Sequence, residues 1–186
     1  MRYSEDHKAQ THQRIIDEAS RLFRRDGVGA TGLQPLMKTL GLTHGGFYAH
    51  FKSKDELVAT ALRQAAQELD QVTAKIQAGP EPLAGLIASY LSDAHRANPG
   101  AGCPLPTMSA ELGQRGQASP ITDEVVKSRL AMIEAGLPGA DAARQSVLVL
   151  SALVGTLLLA RSVSDPELAE HLLTSARELL IEQTKG

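Results

Sequence analysis

The chain has 186 residues, is 42% hydrophobic and 22% charged, and carries a net charge of −2 and one cysteine. That length allows one large helical domain or two small ones sharing a core, and the apolar fraction excludes wholesale disorder. A single cysteine excludes an internal disulfide framework and a multi-cysteine zinc site, and the overall charge, taken whole, argues against a polyanion partner.

Strand signals are nearly absent and helical periodicity dominates. No apolar run follows Met1-Arg2-Tyr3-Ser4-Glu5-Asp6, so no signal peptide is expected. Ile15, Ile16, Ala19, Leu22 and Phe23 recur at helical spacing, and Asp26-Gly27 stops that helix. Leu33, Leu36, Met37 and Leu40 form a second, short stripe ending at Gly41, with Pro35 tolerable only in its first turn. A third short helix is expected over residues 44–51. Ser53-Lys54-Asp55-Glu56 is a capping box, in which serine and glutamate side chains reciprocally satisfy amides, and it opens a helix to about residue 78.

Gly79-Pro80-Glu81-Pro82 breaks the chain. Leu83, Leu86, Ile87, Tyr90 and Leu91 predict an amphipathic helix ending near Asn98-Pro99-Gly100, followed by a turn-rich loop over 97–106. A helix over 104–114 follows, with Cys103 at its N-cap, and another runs from Ser119-Pro120 to Ala135-Gly136. Residues 139–163 read as a nearly all-apolar helix. Ser164-Asp165-Pro166-Glu167 opens the last one, to about Thr184. The longest apolar stretch, 147–160, is broken by Ser151, Gly155 and Thr156 and then meets Arg161, so it reads as too short for a membrane span. The expected fold is all-α, with nine helices.

Charge divides unevenly along this chain. Residues 1–54 hold nine basic and five acidic side chains, a net +4, together with four of the six histidines, which leaves −6 on the remainder. Such a basic head on an acidic body suits a protein of which one part meets a polyanion, although uneven surfaces also arise by chance. Within that head, the two short helices joined by Gly41-Leu42-Thr43 have a helix-turn-helix arrangement. Phe47 and Phe51 point inward, while His44, Gly45, Tyr48 and His50 are left for the outer side. Tyr48 and the Lys52/Lys54 pair can reach phosphates, and Gly45-Gly46 permits close approach to a groove. The same two-helix corner occurs inside many all-α cores, with Tyr48 then merely capping the core.

The run Thr11-His12-Gln13-Arg14-Ile15-Ile16-Asp17-Glu18-Ala19, then Leu22-Phe23, Gly27 and Ala30-Thr31, then the unbroken stretch from Gly41 through Phe47-Tyr48-Ala49-His50-Phe51-Lys52-Ser53-Lys54-Asp55-Glu56-Leu57, resembles the DNA-binding region of TetR-family transcriptional regulators. The resemblance implies a helix-turn-helix DNA-binding domain over 1–53 and a helical effector-binding and dimerisation domain over 54–186. It also implies a cytoplasmic homodimer that binds a palindromic operator on double-stranded DNA and no cofactor or metal. Thr31 matches a position that caps the second helix and touches phosphate, and Gln34 a base or phosphate contact. Thr43, Tyr48, His50, Lys52 and Lys54 match the phosphate-contacting set, and His44 and Gly45 lie at positions next to base edges. His44 replaces a frequent Lys and Gly46 a frequent Thr or Ser.

For the body, the resemblance implies a ligand pocket between helices spanning about 80–135 and a four-helix dimer interface. Val147, Leu150, Val154, Leu158, Leu172 and Leu179 are the candidate interface residues, with burial inside one protomer as the alternative. Cys103, Tyr90 and Met108 are the candidate effector or sensor residues. Gly102-Cys103-Pro104-Leu105 is similar to a segment in TetR-family repressors that respond to N-ethylmaleimide and reactive chlorine, and a thiol at a helix start is favoured as thiolate. A small residue filling a helix start is the other reading of Cys103. A helical enzyme or interaction module is the alternative to a regulator. It lacks support, because the sequence holds no His-x-x-x-His or Glu-x-x-His pair and no Gly-rich phosphate loop, and so no catalytic residue is assigned.

Overall fold

A computed structural model describes residues 2–185. Its α-helices are α1 (Arg2–Asp26), α2 (Leu33–Thr39), α3 (Lys54–Gln77), α4 (Pro82–Tyr90), α5 (Asp93–Ala97), α6 (Ala110–Gln114), α7 (Pro120–Ala135), α8 (Ala142–Ser162) and α9 (Pro166–Gln183). There are nine α-helices and no strand among the described residues, as expected, but several helices fall differently from the periodicity.

The third short helix is instead a five-residue 3-10 turn, Gly45–Ala49. Two adjacent glycines carry a high entropic cost in an α-helix and favour the tighter, shorter turn. The expected helix beyond residue 83 stops at Tyr90, and Ser92 starts α5 afresh by accepting the His95 amide at 3.2 Å. Between 99 and 114 the chain makes a 3-10 turn (Pro99–Ala101), a π turn (Leu105–Ser109) and only then α6. Pro104, not Cys103, is the N-cap of that π turn, so Cys103 lies one residue outside the position expected for it. Pro104 and Pro106 both lack amide hydrogens, which denies this stretch a regular α start. The helix expected over 139–163 is α8, whose 21 residues make it long and apolar enough to cross a membrane by length and composition, contrary to the expectation drawn from 147–160.

Packing divides the chain into two compact units. The first comprises residues 2–67 and 100–117, so that the segment carrying Cys103, the π turn and α6 packs with α1. Its core is built from Ile15, Ala19, Phe23, Leu36, Met37, Phe47, Leu57 and Met108, each fully buried.

The second unit comprises residues 68–99 and 118–185, where α8 packs against α7, α9, α5 and α4. Val149, Leu153, Leu157 and Ala160, at three- and four-residue spacing, bury one face of α8 against this unit. Asp165 caps α9 by accepting the amides of Glu167 and Leu168. Arg129 is a buried cation on α7, paired with Asp70 and donating to the Thr73 hydroxyl, and burial lowers its pKa. Arg161 ties the end of α8 to α5 by donating to the carbonyls of His95 and Arg96.

Candidate nucleic-acid interface

The geometry of the N-terminal unit starts from how α2 ends. The Leu42 amide donates to Met37 at 2.9 Å and the Gly41 amide to Lys38 at 3.0 Å, while Gly41 sits at φ +72°. This is a Schellman turn, and its left-handed residue favours glycine, as Gly41-Leu42-Thr43 led us to expect. Arg14 of α1 donates to the Leu40 carbonyl at 3.2 Å, adding a cation at the negative end of α2. Thr43 then accepts the Gly46 amide on its hydroxyl at 3.2 Å, opening the 3-10 turn. Phe47 stacks on Phe51 at 5.6 Å and both are buried, which fixes the rotation of that turn. The capping box forms: the Glu56 amide donates to Ser53 Oγ at 3.1 Å, and the Glu56 carboxylate accepts the Lys52 amide at 2.6 Å.

With the aromatics turned inward, the opposite side of the corner is open. Gln34, Thr43, His44, Gly45 and Lys52 are exposed, and Tyr48 is 61% exposed. Tyr48 is not free to wander, because its ring lies edge-on to Phe47 at 5.3 Å and to His44 at 5.9 Å. Nothing lies within 4 Å of the point where a Cβ would stand at Gly45, so the backbone there is approachable. These five side chains and one bare backbone make a face that can offer hydroxyl, imidazole, amide and ammonium donors to a polyanion.

Three of the residues expected on that face are placed otherwise. Thr31 is 6% exposed and its hydroxyl donates to Gly27 at 2.8 Å, while Gly32 occupies the N-cap of α2 without a side-chain bond. The expected capping role of Thr31 is therefore absent, since the hydroxyl is consumed by the turn that precedes α2. Lys54 is half-buried, and its ammonium donates to the carbonyls of Val28 at 2.6 Å and Thr31 at 2.7 Å. Burial, then repulsion from Arg115, pushes its pKa down. His50 is also half-buried, and its Nδ1 is enclosed without a hydrogen-bond partner. Burial first, then His12 and Lys8, holds its pKa below the ordinary histidine value. His12 in turn stacks on Phe51 at 4.5 Å.

The residues assigned to sensing are all interior: Cys103 is 2%, Met108 0% and Tyr90 8% exposed. Within the second unit a cavity of about 600 Å³ is lined by Glu81, Leu83, Leu86, Met132, Gly136 and Lys185, among others, and by none of those three. Of the assigned interface residues, Val147, Leu158 and Leu179 are exposed at 52%, 45% and 62%, and Val154 and Leu172 are partly so. Leu150 is 8% exposed and packs inside the protomer, because it falls on the α8 face shared with Leu153 and Leu157. Leu148, Leu159 and Leu168 belong to the exposed apolar set and were missed. Their signal was present, since the expected helix was apolar around most of its circumference. Arg14, Arg24 and Glu111 also went unassigned, because nothing local marks them.

Residues 15–61 match the family described as bacterial regulatory proteins, tetR family. The regulator AcrR of Shigella flexneri is 35% identical over 69 residues, which is 37% of this chain and 32% of AcrR. An uncharacterized helix-turn-helix-type transcriptional regulator of Mycobacterium tuberculosis is 25% identical over 161 residues, covering 80% of this chain and 83% of that protein. Among solved structures, a TetR transcriptional regulator from Chloroflexus aurantiacus superposes with a TM-score of 0.74 at 24% identity, over 96% of this chain and 98% of that one. The reduced form of Escherichia coli NemR superposes with a TM-score of 0.72 at 20% identity, over 92% and 95%. Both structures share the fold from end to end.

Proposed function

We propose that this chain, a TetR-family helix-turn-helix transcriptional regulator, is a cytoplasmic repressor that holds a palindromic operator as a homodimer and leaves it when an effector acts on its helical body. The observation that carries the DNA reading is the open face formed by Gln34, Thr43, His44, Gly45, Tyr48 and Lys52, set on a segment of net charge +4. Phosphate contacts from Tyr48, Thr43 and Lys52 would fix register, and Gln34 and His44 would meet base edges. The domain boundary at residue 53 belongs to this reading. His50 and Lys54, both half-buried, enter it as candidates, and Thr31 through the turn that its hydroxyl closes.

A second copy is the proposed occupant of the apolar face on α8 and α9. Val147, Leu148, Leu158 and Leu159 stand uncovered beside the small residues Ser151, Ala152 and Gly155, with Leu168, Leu172 and Leu179 on α9. Nothing lies within 4 Å of a Cβ built at Gly155, so a partner helix can come close there. An apolar patch of this kind, rimmed by polar residues, marks an association surface. Two copies would present two heads to two half-sites.

The cavity lined by Leu83, Leu86 and Met132 has the volume of a small-molecule site, and favours an apolar effector with one polar group near Glu81 or Lys185. A thiol-reactive effector is the second reading, supported by Cys103. That thiol is enclosed beside Gly102, whose carbonyl accepts a hydrogen bond from Arg24 at 3.2 Å, so an adduct would have to displace the segment. A gel shift with the DNA upstream of the protein's own gene tests the regulator reading, and absence of any binding at low salt would sink it. Cys103→Ser is expected to keep DNA binding and lose release by N-ethylmaleimide or hypochlorite. An unchanged response in that variant eliminates the thiol reading and leaves the cavity.

A further inference from the structure

We propose that Glu111 is a positioning residue for DNA reading: its carboxylate grips the turn between α1 and α2 and so sets the angle at which α2 presents Gln34. This deepens the operator-binding reading and rests on it. In the turn over 27–31 the Gly27 amide still donates to the Phe23 carbonyl at 3.1 Å, but side chains meet the amides of Val28 and Gly29 and the carbonyls of Gly27, Val28 and Thr31. Glu111 accepts the Val28 amide at 2.5 Å and the Gly29 amide at 2.7 Å, one on each oxygen. Lys54 donates to the carbonyls of Val28 and Thr31, and the Thr31 hydroxyl covers Gly27. Arg115, one turn beyond Glu111, pairs with it at 2.5 Å and holds the carboxylate in place. The turn is thus tethered by its amides from α6 and by its carbonyls from α3.

Glycine at two positions makes room for this grip. A Cβ on Gly29 would collide with the Arg115 guanidinium and stand 2.7 Å from Glu111, and one on Gly27 would stand 2.9 Å from the same carboxylate. The segment that bears Glu111 is itself fastened at its other end. Buried Arg24 of α1 donates to Gly102, and Gly100 lies against the Arg21 backbone, so close that a Cβ would meet the Arg21 carbonyl at 3.3 Å. Residues 102–111 therefore bridge two points on the reading unit, and a shift of that segment moves Glu111 with it. Gly29 is exposed, so water can satisfy its amide if the carboxylate is gone, whereas the Val28 amide is part-buried and loses its acceptor. Loss of Glu111 should consequently lower the melting temperature without unfolding the protein, and leave α2 less sharply aimed.

The test uses the full-length protein and a duplex that it selects from a random pool, set against a scrambled duplex of equal length and salt. Glu111→Ala is expected to weaken binding to the selected duplex roughly tenfold, the scale of lost charge-assisted hydrogen bonds, and to change the scrambled duplex by less than about twofold. Glu111→Gln, which keeps acceptor capacity on one oxygen, should fall between. Gly29→Ala reaches the same contact from the other side, and combining it with Glu111→Ala should add little beyond the single change. Amide exchange at Val28 and Gly29 should quicken in Glu111→Ala by more than exchange in the core of α1, so that the loosening is local to the turn. Selected-duplex binding at wild-type strength, equal loss on both duplexes, or a loss that follows a collapse in melting temperature would each overturn the proposal. If the wild type selects no duplex, the operator reading fails instead, and the amide exchange alone still reports whether Glu111 holds the turn.

Discussion

The two units of this molecule hold themselves together in different ways. The first places its outward residues on or beside a seven-residue helix and a five-residue 3-10 turn, elements too short to be stable alone. It compensates with side-chain ties to backbone: Arg14 to Leu40, Lys54 to Val28 and Thr31, Glu111 to Val28 and Gly29. The second relies on long helices, α8 at 21 residues and α9 at 18, packed through aliphatic faces with surplus apolar surface left over. The second unit also has directional ties, Arg161 to His95 and Arg96 and Arg129 to Asp70, but these lie inside it, whereas in the first they hold the short elements of the outward face.

The sharpest way to break that contrast is at the surplus apolar surface. On the proposed dimer, Leu158→Glu together with Leu179→Glu should leave a monomer in sedimentation and reduce affinity for the proposed operator by about a hundredfold or more, since the second half-site no longer binds as a tethered partner. Retained dimerisation would show that another surface joins the copies. A smaller effect should separate two neighbouring lysines. Lys54→Ala strips donors from two carbonyls and is expected to cost about 1–3 kcal/mol of stability in denaturant melts. Lys52→Ala should leave melting unchanged and lower the slope of log affinity against log salt by about one.

The smallest effect concerns acid. In the second unit the His95 pKa is lowered chiefly by burial and also by Arg161, against the opposing pull of its Nδ1 contact with the Tyr90 carbonyl at 2.7 Å. A folded-state pKa below the unfolded one means that the unfolded chain takes up protons first. Stability is therefore full above about pH 6.5 and is lost as pH falls through that value. Melting temperature should drop by something on the order of a few degrees between pH 7.5 and 5, and His95→Gln should flatten that part of the profile.

Much of the molecule was legible from local pattern. The capping box at Ser53–Glu56, the Gly41 reversal and the inward Phe47 and Phe51 all formed, because each is decided by residues within a few positions of one another. What local pattern missed was of two kinds. Some errors were of conformation, where Gly45-Gly46 and Pro104/Pro106 shortened or altered helices that apolar spacing alone had extended. Others were of partnership. Which α8 face turns inward depends on α7 and α9, so Leu150 could not be told from Leu158 by periodicity. Lys54 looked like a phosphate ligand because the carbonyls it serves lie 23 and 26 positions earlier. Glu111 was further beyond reach, since its contacts join positions 82 and 83 apart.

That separation along the chain bears on the order of synthesis. A ribosome that has released residues 1–67 has released every side chain of the outward face, yet not the acceptor for the Val28 and Gly29 amides. The nascent head emerges with its hinge unset, and only when Glu111 clears the exit tunnel can the turn lock. A fragment truncated before that point would carry every residue of the outward face without the acceptor that holds the Val28 and Gly29 amides.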